Sequence, residues 1–343
     1  MAHSSPQRPT VAVVGTGSIG RRHLAVLLEL GCAAPIAVSE HGRLERLDVS
    51  GREIEVAHSL TDVVGNVDAV IVASPTAAHL GHLETAVHAG CHVLVEKPVA
   101  TTSVGLDAVA TLAEARGLVA AAGHQFRYEP GLLAIRELVL EGALGVLLAV
   151  EAHQGEHLAD YHPAEDYRIG YAARSDLGGG VLRTQIHHID VLDWIFGPLE
   201  RVYASGGHLS DLEIDVEDSA SYLFRSTTGT SVYGHLDYRQ RPRTVTLRAV
   251  GTDGRVEWDH YAARLVHTPS GGEPIIKSWP YDRQSMFRAQ MSDFLDAVAG
   301  TGTVGTPLRD GIRAVHLVEA IESSSALDRS VAVAGVSEDE RDG

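Results

Sequence analysis

The segment Gly15-Thr-Gly17-Ser18-Ile19-Gly20 follows the apolar run Thr10-Val-Ala-Val-Val and opens a helical pattern over 19–30. A strand that turns straight into a helix leaves unpaired amide N–H groups and a positive helix end, which together suit a diphosphate. Gly15 permits the tight turn, Gly17 lets the backbone approach the phosphates, and Gly20 lets the helix pack closely, with Ser18 and Ile19 completing the cradle. Glu40 ends the next apolar run about 20 residues on, where a carboxylate can accept from ribose hydroxyls. A 2′-phosphate placed there meets a negative charge. The expected cofactor is NAD, and His41 and Arg43 beside Glu40 keep NADP open.

Further along are groups suited to moving protons. Lys97 lies just past the apolar run 92–96, at the carboxyl edge where open parallel sheets bind ligands. Hydride transfer to or from a secondary alcohol needs a partner for the hydroxyl proton, and an ammonium can donate to that oxygen. The run Gly178-Gly-Gly-Val-Leu-Arg-Thr184-Gln-Ile-His187-His188-Ile-Asp190 leads into an apolar helix ending at Phe196. Imidazole is the side chain best matched to proton transfer near neutral pH, and helical spacing ties His187 to Asp190. Residues 155–174 form a long polar loop carrying Tyr167, Arg168 and Arg174, which suit a hydroxylated or anionic substrate. His153-Gln-Gly-Glu156-His157 matches an inverted zinc-peptidase pattern, but it closes a β-rich run with Gly155 inside it and lacks the helix that motif needs. No metal is expected.

The elements that must position these groups are legible in outline. Apolar runs at 10–15, 35–39, 67–74 and 92–96 alternate with helical patterns at 19–30 and 79–89, which implies a doubly wound parallel sheet in an α/β domain. From about 144 the texture becomes β-rich, with runs at 145–153, 201–208, 219–224, 230–238, 244–250 and 255–258 joined by short turns. That pattern implies an α+β domain on an open-faced, mostly antiparallel sheet, with helices at 181–196, 284–299 and 309–326. The expected division is 1–124, 125–336 and an acidic tail at 337–343. Alternating apolar residues such as Tyr222, Phe224, Val232 and Tyr233 need cover, so a homodimer or homotetramer joined through the sheet is expected.

The chain has 343 residues, 44% of them hydrophobic and 21% charged, enough for two cores. Its formal charge of −17 disfavours nucleic acid and anionic membranes as partners. No run approaches the roughly 18 apolar residues of a membrane span. Two cysteines, Cys32 and Cys91, build neither a disulfide framework nor a four-thiolate site, which suits the cytoplasm.

Glu96-Lys97-Pro98 after a strand, with Ala73-Ser74-Pro75-Thr76 and His79 after an earlier one, resembles the glucose-fructose oxidoreductase, inositol dehydrogenase and MocA family. The likeness continues through Gly123-His-Gln-Phe-Arg127-Tyr-Glu-Pro130, the triple glycine, His187-His-Ile-Asp190 and the helical pattern at 311–320. The resemblance implies a Rossmann domain with Ser74, Pro75, Thr76, His79, Glu96 and Lys97 beside the cofactor. It also implies a sheet domain that holds a sugar, cyclitol or nucleotide-sugar derivative and forms the oligomer contact. Lys97 and His187 are the implied catalytic pair, and Arg127, Tyr167, Arg168, Arg174, Thr184, His187 and His188 contact substrate with Lys97. The family shows an aspartate four residues before its histidine; here Thr184 stands in that region. Counting from the triple glycine aligns His188, whereas the His-x-x-Asp spacing aligns His187.

The function expected is an NAD(P)-dependent dehydrogenase or reductase acting on a CH–OH group. An NAD-dependent glycosidase of the same fold and a non-enzymatic NAD(P)-binding sensor are the alternatives. The retained Lys97 and His187 favour the dehydrogenase.

Overall fold

The computed structural model describes residues 9–32, 34–40, 42 and 44–335. The chain divides into two compact units, one of Met1–Gln125 with Arg283–Ile312, the other of Phe126–Asp282 with Arg313–Gly343.

The first unit is built on seven strands: β1 Val11–Val14, β2 Ile36–Val38, β3 Arg46–Val49, β4 Arg52–Ala57, β5 Ala69–Val72, β6 His92–Glu96 and β7 Ala120–Gly123. Their order is β3-β4-β2-β1-β5-β6-β7. All neighbours run parallel except the β3–β4 hairpin. Every residue of β1 and β5 is buried, the signature of strands covered on both faces. Helices α1 Ser18–Glu29, α2 His79–Ala89 and α3 Leu106–Ala115 provide crossovers. Progression outward from β1 goes to β2 on one side and β5 on the other, so the crevice beside β1 is where an open sheet of this kind takes its ligand.

The second unit opens with α4 Pro130–Leu140, whose proline sits in the first turn and whose N-cap is Glu129. Strand β8 Leu147–Gly155, helices α5 Val181–Thr184 and α6 Ile186–Phe196, and strands β9 Leu199–Gly207, β10 Ser219–Ser226, β11 Ser231–Asp237, β12 Thr244–Gly251, β13 Gly254–Asp259, β14 Arg264–Pro269 and β15 Ile275–Ser278 follow. The single helix expected over 181–196 is broken at Gln185. Helix α7 Arg283–Val298 belongs to the first unit, α8 Leu308–Leu327 follows, and β16 Val331–Ala332 closes a nine-stranded sheet ordered β15-β14-β13-β12-β8-β11-β10-β9-β16. The sheet is mixed, since β11 and β8 are parallel while the other pairs are antiparallel.

Two expectations need correction. The continuous domain drawn over 125–336 is interrupted, because Phe287, Met291, Phe294 and Leu295 of α7 are buried in the core of the first unit. Each such side chain contributes roughly 2 kcal/mol, which holds the returning helix there. The tail drawn at 337–343 lies outside the described residues. The second correction concerns the sheet face. Tyr222, Phe224 and Val232 are buried in the core of the second unit, and only Tyr233 of the four residues named above is exposed. Alternation puts Tyr203, Leu223 and Tyr233 in one row across β9, β10 and β11 on the uncovered face.

Candidate functional site

In the first unit the turn after β1 has the shape a diphosphate needs. Gly15 has φ +106°, and a Cβ there would be driven into the Ala73 carbonyl. A Cβ on Gly20 would strike the carbonyl of Gly15, so this glycine closes the turn itself. Gly17, the N-cap of α1, faces open space, has no side-chain cap, and is followed by no acidic residue in the first turn. The helix end therefore offers amide N–H groups and positive potential at the mouth of the crevice. These features fit the diphosphate of NAD, with Ser18 and Ile19 in the first turn.

Strand register lines up the rest of that edge. Val14 pairs with Val72 and Val72 with Val95, so Gly15, Ser74 and Lys97 follow the ends of three neighbouring strands. The His79 ring is buried and bridges two carbonyls, Ser74 O at 2.8 Å and Pro98 O at 2.7 Å, so it braces the loops flanking Lys97. Burial pushes its pKa down, against the two carbonyls, which favour the protonated ring. Glu96 was expected to line the cofactor, yet its Oε1 is 2.8 Å from His23 Nε2 on α1 and its Oε2 accepts the Lys97 amide. Although burial opposes it, the His23 bond holds this carboxyl below the usual range. Glu96 is thus a buried tie between α1 and β6. Glu40 Oε2 is 3.1 Å from His82 Nε2, and His82 Nδ1 is 3.0 Å from Ser74 Oγ. His82 was not singled out by sequence; only its place one turn beyond His79 on α2 marks it. His41 and Arg43 lie outside the described residues. Pro75 is exposed and Thr76 buried at the start of the turn into α2.

In the second unit, α6 carries the two histidines. His187 is buried and stacks on Phe126, with ring centroids 4.9 Å apart and planes 8° from parallel. His188 Nδ1 lies 2.6 Å from the Tyr222 hydroxyl, and burial together with the charges of His153 and His235 pushes its pKa down to about 3. His188 is therefore a neutral packing imidazole at physiological pH. Asp190, expected to serve His187, receives two hydrogen bonds from Arg127, Nε to Oδ2 at 3.0 Å and Nη2 to Oδ1 at 2.6 Å. Arg127, expected to contact substrate, is buried in that pair. Thr184 is buried at the end of α5, where its hydroxyl lies beside Tyr238.

The polar loop also differs from expectation. Arg168 pairs with Asp166 and Glu213, Arg174 with Asp176, and the Tyr167 hydroxyl accepts the Glu213 amide. Aspartates two residues away neutralise both guanidiniums, so the loop presents ion pairs in place of bare positive charge. His157 Nδ1 accepts the Ala159 amide and does not join His153 in a helix face.

A glycine-turned cradle on a parallel sheet, with a lysine two strands away on the same edge, defines a dinucleotide-binding protein. A family model described as an oxidoreductase family with an NAD-binding Rossmann fold matches residues 10–124. Another, described as the GFO/IDH/MocA C-terminal domain, matches residues 132–257. The chain is 31% identical over 302 residues to the myo-inositol dehydrogenase Hyg17 of Streptomyces leeuwenhoekii, covering 85% of this chain and 89% of that protein. It is 26% identical to the rhizopine catabolism protein MocA of Rhizobium meliloti, over 90% and 93% of the two. In fold it resembles a levoglucosan dehydrogenase solved with NADH, with a TM-score of 0.85 at 18% identity, covering 95% and 99%. It also resembles the WlbA dehydrogenase of Bordetella pertussis, solved with NADH and UDP-GlcNAcA, at TM-score 0.82 and 20% identity, covering 96% and 99%. The chain belongs to the glucose-fructose oxidoreductase, inositol dehydrogenase and MocA family, and it is an NAD-binding oxidoreductase. Among the described residues no helix is long and apolar enough to cross a membrane.

Proposed function

We propose that this protein is a dehydrogenase or reductase that interconverts a secondary alcohol and a ketone on a sugar, cyclitol or nucleotide-sugar derivative. Bound NAD supplies the hydride acceptor or donor at its nicotinamide ring. The amides at the start of α1, opened by Gly15 and Gly17, hold its diphosphate, and Glu40 accepts from the adenosine ribose, favouring NAD over NADP. Lys97 donates to the reacting oxygen and exchanges its proton, kept in place by a backbone braced through His79 and Glu96. His187 is the second acid/base group, its ring plane fixed by Phe126. Ser74, Pro75 and Thr76 border the cofactor, and Tyr167 and Thr184 border the substrate.

The observation that carries this reading is the register placing Gly15, Ser74 and Lys97 at the ends of adjacent strands. The names of the similar proteins, myo-inositol dehydrogenase and levoglucosan dehydrogenase, support the substrate class. We also infer a cytoplasmic homodimer or homotetramer joined through the row of Tyr203, Leu223 and Tyr233. The functional test is a panel of sugars, cyclitols and nucleotide sugars incubated with NAD or NADP. Stoichiometric reduction of NAD by one panel member supports a dehydrogenase. Bond cleavage without net NAD reduction identifies a glycosidase, and saturable binding of NAD and a panel member without turnover favours a sensor.

A further inference from the structure

We propose that His153, His235 and Asp237 form a binding site for one divalent transition-metal ion of the zinc type, on the uncovered face of the second unit's sheet. Parallel pairing of β8 with β11 sets His153 directly beside His235 and Gly155 beside Asp237, so the three side chains share a face. A Cβ on Gly155 would collide with Asp237 Oδ2, and its absence lets the carboxylate lean across toward His153. Oδ2 stands 3.5 Å from the Nε2 of both His153 and His235, and the three donor atoms all lie within 4.8 Å of one another. Ligands about 2.1 Å from a tetrahedral zinc stand about 3.4 Å apart, so these separations match a coordination edge better than a hydrogen bond. His153 Nε2 is itself buried, and the polar atom it faces is Asp237 Oδ2.

The outer contacts orient the same lone pairs. His235 Nδ1 is bonded to Ser221 Oγ at 2.8 Å, which with its N–H donating leaves Nε2 as an acceptor. Asp237 Oδ1 takes the amides of Arg239 and Gln240, both at 2.8 Å, which leaves Oδ2 aimed at the imidazoles. Two neutral imidazoles and one carboxylate suit Zn²⁺ or Co²⁺, with water completing the shell.

The test uses the full-length protein, freed of metal by chelation, titrated with Zn²⁺ by calorimetry and with Co²⁺ by visible absorption. The expected result is one ion per chain, a cobalt band characteristic of a four- or five-coordinate site, and a higher melting temperature with metal. His235→Ala and Asp237→Asn should abolish the band, and Ser221→Ala should weaken binding by about tenfold. His58→Ala, at an exposed histidine elsewhere, should change nothing. Circular dichroism confirms that each variant folds, and His153→Gln serves if either ligand variant does not. Metal uptake equal in wild type and the folded ligand variants, or no cobalt band in wild type, would overturn the assignment.

Discussion

Arg127 and Asp190 meet in a buried two-point ion pair that joins the turn Gln125–Tyr128 to helix α6. The residue before Arg127 stacks on His187, so the same two elements are held at a ring contact and at a charge contact. Removing one partner of such a pair strands a buried charge and typically costs about 3–5 kcal/mol. Arg127→Ala should lower unfolding stability by about that amount in denaturant titration. A loss near zero would show that the pair does not hold α6.

Cofactor preference should follow Glu40. Its carboxylate sits beside His82, in a chain that reaches Ser74. Glu40→Gln should weaken NAD binding and relieve the repulsion of a 2′-phosphate, narrowing the NAD-to-NADP ratio by roughly 10-fold, about 1.4 kcal/mol. Fluorescence titration of both cofactors against wild type and variant measures this. A wild type that strongly prefers NADP contradicts the assignment.

A pH dependence of stability should trace to Glu129. This carboxylate caps α4 by accepting the Leu132 amide at 2.8 Å, and burial pushes its pKa up to about 7 against the pull of the Leu132 and Gly131 amides. A carboxyl raised in the fold binds its proton more tightly there than in the unfolded chain. Its stabilisation is complete below the ordinary value of 4.5 and is lost as pH rises through about 7. The change amounts to about 3 kcal/mol at 1.36 kcal/mol per unit. Glu129→Gln should flatten the stability profile between those two pH values, as read by denaturant midpoints; an unchanged slope would assign it to another group.

Association should depend on the exposed sheet row. Tyr203, Leu223 and Tyr233 are each about half exposed and lie side by side, and Glu151, Arg248 and Glu257 extend the row across β8, β12 and β13. Light scattering at micromolar concentration should report a dimer or tetramer, and Leu223→Glu with Tyr233→Glu should dissociate it. A wild-type monomer refutes the interface.

Short-range patterns carried most of what the sequence made legible. The glycine spacing after β1 and the period-two alternation of β10 and β11 are local, and each appears as read. Which face of that alternation is covered depends on helices far along the chain, so Tyr222 and Phe224 were placed on the wrong side. The ties His23–Glu96 and Arg127–Asp190 span 73 and 63 residues, beyond any helical or strand period. Asp166 and Asp176 stand only two residues from Arg168 and Arg174, a local spacing that signals the neutralised guanidiniums and that the reading of the loop as an anion site passed over.

The most direct measurement of the account is kcat for Lys97→Ala, His187→Ala and His188→Ala on the substrate found in the panel, at saturating NAD. Loss of a positioned acid/base group typically costs about 10²–10⁴-fold. Lys97→Ala and His187→Ala should fall in that range with NAD affinity nearly unchanged, because the diphosphate is proposed to be held at Gly15 and Gly17. His188→Ala, which removes a neutral ring bonded to Tyr222, should lose stability more than turnover. Full turnover by Lys97→Ala would contradict the mechanism outright, and a larger loss in His188→Ala than in His187→Ala would transfer the catalytic role to His188.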